Sequence, residues 1–305
     1  MHTISDFLLM SDNHLLSVLK KTCLNIGACQ TDRENYLYLS RPESKVLLVA
    51  HIDTVCRTGF KRLVQSKHVI RNVNGILGAD DRAGCFLIYT LLNNWALPVF
   101  DVLFTNYEET GGQGAKAFIR DKVFKQNDIR LFIELDRKGK SEYVTYNDLP
   151  HEVAQYIESF GFKESYGTYS DIYDLTDTYK IPSVNLSVGY YDQHTPKESL
   201  NLKHMDLTLK RLTDILRKPI PKLHKVKEYR KNGKAKNRTS QYILDWAGYP
   251  PISKNRNYSD YDYCSNSDKK YDCPFYDDCY SGNYRTAFYN YECLDCELFN
   301  SASIL

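Results

Sequence analysis

Between residues 34 and 190 the chain alternates short, almost unbroken apolar runs with longer stretches whose apolar residues recur every third or fourth position. The runs ENYLYLS (34–40), KVLLVAHID (45–53), PVFDVLFTNY (98–107), RLFIELD (130–136) and PSVNLSVGY (182–190) have the length and the β-branched and aromatic content of strands. Residues 8–24, 82–93, 112–121, 151–160 and 202–216 carry the helical period, each opening near a polar or Gly-rich stretch. Strands that are apolar on both faces and separated by helices predict a mostly parallel mixed sheet covered on both sides, an α/β three-layer sandwich.

At Arg217 the composition changes. RKPIPKLHKVKEYRKNGKAKNR (217–238) is dominated by Lys and Arg and interrupted by Pro and Gly, so 217–257 reads as a basic linker after a catalytic-sized domain, 1–216. Residues 258–305 form a third segment rich in Tyr, Asp and Cys. Its pairs Cys273/Cys279 and Cys293/Cys296 suit a small structural zinc knuckle, although the first spacing is wider than usual, and loose thiols are the alternative; Cys264 is left over. Cys23, Cys29, Cys56 and Cys85 follow no spacing and read as small core residues of a reduced protein.

Bulk charge narrows the partners. A net +2 among 305 residues gives no general attraction to nucleic acid or anionic membranes. Only the linker is basic, and the acidic Cys-rich segment beside it would repel phosphate, so nucleic-acid binding stands as a minor alternative. The apolar runs are too short to span a bilayer, and the start of the sequence lacks the basic and apolar regions of a signal peptide. The expectation is a cytoplasmic protein without a membrane partner; oligomeric state is left open.

The chemistry collects at strand ends. The second strand runs into AHIDTV, the third into TNYEETGG, the fourth into ELDRKG and the last into GYYDQHTP, while GADDRAG precedes a helix. In an open α/β sheet ligands lie beyond the carboxyl ends of the strands, so His51, Asp53, Asp80, Asp81, Glu108, Glu109, Asp136 and His194 would converge there. A pair of divalent ions sharing one carboxylate, each with one imidazole and one further carboxylate, can be served from this set. Taken singly, each piece has an ordinary reading: Asp80 and Asp81 as the cap and first-turn acid of a helix, the histidines as polar residues at a strand's end.

The ordered series HID, GADDRAG, YEETGG, ELD and HTP, over residues 45–200, resembles the co-catalytic di-zinc exopeptidase clan. That clan includes peptidase T, glutamyl-aminopeptidase-like enzymes, lidless aminopeptidases and acetylornithine-deacetylase-type amidohydrolases. The resemblance implies zinc ligation by His51 and Asp136 on one side and by Glu109 and His194 on the other, with Asp80 bridging. It also implies that Asp53 orients His51, that Glu108 is the general base, and that the Asp80–Asp81 peptide is often cis. Glu134 is a second choice for Asp136, on the same face of the strand but further from its end. Two zinc ions would lower the pKa of a shared water and stabilise the oxyanion of amide hydrolysis; cobalt or manganese suits the same ligands.

Too few residues lie between His51 and Asp80, or between Asp136 and His194, for the inserted domain or dimerisation lid of some of these relatives. Asp171 is a candidate pocket or supporting residue, with the N-terminus of a short helix led by Ser170 as the alternative. Arg82 would contact substrate or compensate the acids, and Tyr190 and Tyr191 would assist the oxyanion, line the pocket, or simply pack. The expected activity is an aminopeptidase acting on peptides, with deacylation of N-acyl amino acids or other small amides as the second reading.

Overall fold

The computed structural model describes residues 2–221 except 28, 33, 56–59, 125–127, 147, 148 and 168. Most of the expected linker and the whole Cys-rich segment, with Cys264, Cys273, Cys279, Cys293 and Cys296, lie outside the described residues, as does Cys56.

The elements follow one another as α1 (Ile4–Leu9), α2 (Asp12–Leu24), β1 (Cys29–Asp32), β2 (Tyr36–Leu39), β3 (Val46–His51), β4 (Leu63–Ser66), β5 (Val69–Asn72), α3 (Ala79–Leu92), β6 (Asp101–Thr105), α4 (Gln113–Asp121), β7 (Leu131–Arg137), β8 (Glu142–Val144), α5 (His151–Glu158), β9 (Lys163–Glu164), α6 (Asp171–Tyr179), β10 (Ser183–Ser187), β11 (Tyr190–Tyr191), β12 (Ser199–Asn201) and α7 (Leu202–Arg217). Eight strands form the main sheet in the order β1-β2-β6-β3-β7-β10-β8-β9. Its central four, β6, β3, β7 and β10, are parallel, with antiparallel neighbours β2 and β8 on either side.

The period-two rule accounts for the layers. Val46, Leu48 and Ala50 of β3 enter one buried cluster with Leu131 and Ile133 of β7 and residues of α2, α3 and α7. Leu47 and Val49 face the other way, with Leu103 and Phe132, into a second cluster closed by Phe118 of α4 and Ile172 and Leu175 of α6. Each strand thus buries both faces, which explains its unbroken apolar run.

Four expectations change. The helix expected over 8–24 is two helices, because Ser11 adopts extended backbone and accepts from His14 N at 3.3 Å, starting a new helix after α1. The run 182–190 ends as a strand at Ser187; Gly189, at φ +100°, turns the chain into β11. Strands β4, β5, β11 and β12 build a second sheet, order β11-β12-β5-β4, from segments too short and polar to show a period. Arg82, expected near the acids, points elsewhere: it is buried and donates to Phe7 O at 3.3 Å and Met10 O at 3.2 Å, and pairs with Asp12.

Arg82 therefore ties α1 and the start of α2 to α3. Replacing it by Ala leaves two carbonyls without their donor, and chemical denaturation should show a loss of about 2–3 kcal/mol with the acid cluster's properties intact. The 137–182 stretch contributes β8 and β9 to the sheet and α5 and α6 to its faces, so no lid domain stands between Asp136 and His194 among the described residues. Cys23 and Cys85 are buried and unpaired, Cys29 half-buried. Among the described residues no helix is long and apolar enough to cross a membrane.

Candidate metal centre

Parallel pairing brings the carboxyl ends of β3, β6 and β7 to one rim. His51 stands opposite Thr105 in the register, so Glu108 and Glu109 follow just beyond the rim, and Asp136 is the last residue but one of the neighbouring strand β7. His51 shares its pleat face with Leu47 and Val49, toward α4 and α6.

His51 is buried. Its Nδ1 lies 3.3 Å from Asp53 Oδ1, and its Nε2 lies 3.1 Å from Asp80 Oδ1, 3.6 Å from Asp136 Oδ1 and 4.0 Å from Glu108 Oε2. The second oxygen of Asp80 turns to His194: Oδ2 is 3.2 Å from His194 Nε2, which is 3.0 Å from Glu109 Oε1. One carboxylate thus faces two imidazoles. Asp53 accepts from the backbone N–H of Glu108 at 3.1 Å and of Glu109 at 3.2 Å, so the group that holds His51 also sets the loop carrying both glutamates.

Three sets of ligand atoms fall within 4.8 Å of one another: His51, Asp80 and Asp136; Asp80, Glu109 and His194; and His51, Glu108 and Glu109. Glu109 Oε1 and His194 Nε2 are buried and make no aligned hydrogen bond despite their closeness, as befits atoms aimed at a common third point. Nitrogen and carboxylate donors in this arrangement are of the kind that hold zinc-type ions.

The electrostatics say the same. Burial opposes charge on His51, yet the carboxylates of Asp136, Asp53 and Asp80 outweigh it and hold the imidazole well above its ordinary range. Burial likewise opposes His194, but Asp80 and Glu109 push it up to about 10. Asp80 is held low against burial by the two histidines, whereas burial, with Asp80 beside it, lifts Asp136 to about 7. Burial raises Glu108 well above the usual carboxylate range, with Asp136, Asp171 and Glu109 adding to it.

The surrounding carboxylates favour the protonated form of both imidazoles, so an ion binding there competes with protons. Titration calorimetry of chelator-stripped protein at pH 7.5, in buffers of different ionisation heat, should show net proton release. Apparent affinity should rise with pH by about tenfold per unit for each proton displaced. The sign for folding is opposite: in stripped protein the contribution of His194 is whole below its ordinary 6.5 and is lost as pH rises through about 10.

Other expected residues are placed as follows. Asp81 is fully buried and accepts from His51 N at 3.2 Å and Gly84 N at 3.0 Å, bracing the end of β3 and the start of α3; the Asp80–Asp81 peptide is cis. These two backbone contacts fit the supporting role among those expected of Asp81. Asp171 heads α6 and is fully buried; burial lifts its carboxyl to about 7 against the pull of Thr105 and His51. The Tyr190 hydroxyl donates to Asp136 Oδ1 at 3.0 Å, so this tyrosine supports a candidate ligand. Tyr191 is not brought to the cluster: its hydroxyl meets His204 Nδ1 at 2.7 Å. Glu134 sits one pleat below Asp136, fully buried, and accepts from Ser170.

Two contributors escape sequence reasoning. Asn185 of β10 accepts from Asp136 N at 3.0 Å and donates to Asp136 O at 2.8 Å, and its only signal is a polar residue inside an apolar run. Glu198, buried just before β12, accepts from the amides that lead into Asp80. Nothing in the local pattern marks it.

Comparison with known proteins gives a family and a fold. Residues 35–220 match peptidase family M28. No curated protein matches the chain in sequence. Among solved structures, the fold is similar to the aminopeptidase PepT from Bacillus cereus (15% identity, TM-score 0.57, covering 70% of this chain and 96% of that one). A tripeptidase from Staphylococcus aureus gives 15% identity and a TM-score of 0.58, with the same coverage. The TET1 peptidase of Pyrococcus horikoshii gives 12% and 0.51, covering 70% of this chain and 97% of that one.

Proposed function

Since the chain belongs to peptidase family M28, we propose that it is a cytoplasmic di-metal aminopeptidase, releasing the N-terminal residue of a peptide through attack by water on the scissile amide. The observation that carries this reading is the geometry of Asp80, whose two oxygens lie 3.1 and 3.2 Å from the imidazoles of His51 and His194. Asp136 and Glu109 complete the two sides.

A pair of divalent ions, zinc by the donor set, would supply Lewis acidity at the amide carbonyl and a lowered pKa for the attacking water. The chain's own residues do the rest. Glu108, its carboxylate made more basic by burial and by neighbouring acids, takes the water's proton and passes it to the leaving amine. Asp53 fixes the ring of His51 and, through its two backbone contacts, the distance from Glu108 to that ring. Tyr190 and Asn185 hold Asp136 in place from its side chain and its backbone. In the C-terminal segment, Cys273, Cys279, Cys293 and Cys296 would hold one further, structural zinc.

The test is metal analysis of the purified full chain together with a panel of aminoacyl and N-acyl amide substrates. Two ions beyond any bound by the Cys pairs, and aminoacyl hydrolysis abolished by chelation and restored by zinc, are expected. Preference for N-acyl substrates would move the assignment to a deacylase; a metal-free protein that ignores added zinc would end it.

A further inference from the structure

We propose that Glu198 is a positioning residue for the metal centre: its buried carboxylate gathers the three amides that lead into Asp80 and thereby holds that residue in its bridging orientation. The inference rests on the di-metal reading above.

The small sheet makes the link. β12 pairs antiparallel with β5, Ser199 opposite Arg71 and Leu200 opposite Ile70, and β11 closes against β12, Tyr190 opposite Leu200. The loop of the β11–β12 hairpin carries His194, and Glu198 N donates to Thr195 O at 3.0 Å, so the histidine and the glutamate share one short turn. The chain leaving β5 runs on to Gly78 and the start of α3. The second sheet therefore clips the His194 loop beside the Asp80 loop, although the two are far apart in sequence.

At that junction Glu198 is 1% exposed. Its Oε2 accepts from Gly78 N at 2.8 Å, and its Oε1 from Ala79 N at 2.7 Å and Asp80 N at 3.2 Å. Three consecutive amides converging on one carboxylate offset part of the cost of burying it, burial still raising its pKa, and fix the backbone more tightly than a neutral cap would. The backbone so fixed is the one that must aim the two oxygens of Asp80 at different imidazoles. A modest rotation there would keep one contact and lose the other. Glu198 touches neither imidazole nor any reacting atom, so its effect passes through Asp80.

A plain helix cap makes a different prediction, and Glu142 supplies the comparison. It too accepts several hydrogen bonds, from Lys140 N and Ser141 N at 2.9 Å and Ser187 Oγ at 3.0 Å, yet it holds a turn with no part in the metal centre. Zinc should be titrated calorimetrically into chelator-stripped full-length protein, wild type against Glu198→Gln, Glu198→Ala and Glu142→Gln, with folding followed by thermal melts. Glu198→Gln should bind both ions about 10 to 100 times more weakly, as is usual when a group supporting a ligand is lost, and lower kcat more than it raises KM. Glu198→Ala should do the same more severely, and Glu142→Gln should change the melt alone.

If the Ala variant does not fold, the Gln variant decides, since it keeps the shape of the side chain but sets an NH2 donor where one carboxylate oxygen accepted from these amides. A folded Glu198→Gln that binds both ions as tightly as wild type reduces Glu198 to a cap and overturns the proposal. Wild-type protein that takes up no zinc overturns the di-metal reading first, and this inference with it.

Discussion

Replacing Glu108 by Gln should lower kcat by about 100- to 10,000-fold while leaving fold, zinc content and KM for an aminoacyl substrate nearly unchanged. The amide has the shape of the carboxylate but cannot accept the proton of attacking water. Burial has already lifted the basicity of Glu108, and Asp136, Asp171 and Glu109 raise it further, so its protonation state is the sensitive quantity. Backbone placement is independent of the substitution, because Asp53 holds the N–H of residue 108 and not its side chain. A Gln variant that retained more than a tenth of wild-type kcat, with full metal content, would remove Glu108 from the role of base.

Asp80→Ala should be as damaging for another reason. On the proposed di-metal reading, removing a residue that faces both imidazoles would take a ligand from each ion at once, so both sites should weaken by more than the roughly 10- to 100-fold that follows loss of a supporting group. Activity should fall with occupancy and recover in part at high zinc. The imidazoles should respond too: Asp80 helps to hold His194 up near 10, and its removal should lower that value, visible by NMR titration of the stripped protein. Loss of one ion with the other retained at full affinity would contradict a bridging role.

Much of the fold was legible because the central strands are buried on both faces. An unbroken run such as KVLLVA has few alternatives when flanked by helical periods, and the helices ending at Leu24, Leu92 and Arg217 carry their own apolar stripes. The small second sheet was not legible. Its strands have two to four residues each, and a period of two cannot show itself over LVQS or SLN. The cluster around His51 and His194 was suggested by acids and histidines at strand ends, which is a local signal. Arg82 misled for the converse reason, since adjacency to Asp81 says nothing of direction, and its side chain follows α3 toward the carbonyls of α1. Glu198 and Asn185 act through contacts with residues distant in sequence, so their neighbours carry no trace of the role.

The contacts of Asp53 have a consequence for divergence. Its carboxylate reaches the ring of His51 and the backbone of both Glu108 and Glu109, which joins two strands through a single side chain. A substitution there would disturb three neighbours together, whereas the glutamates can each change their side chains without altering the amide that Asp53 grips. Among homologues, position 53 should therefore vary as little as the candidate ligand positions, and any lineage that abandons the aspartate should show compensating change on the loop after β6.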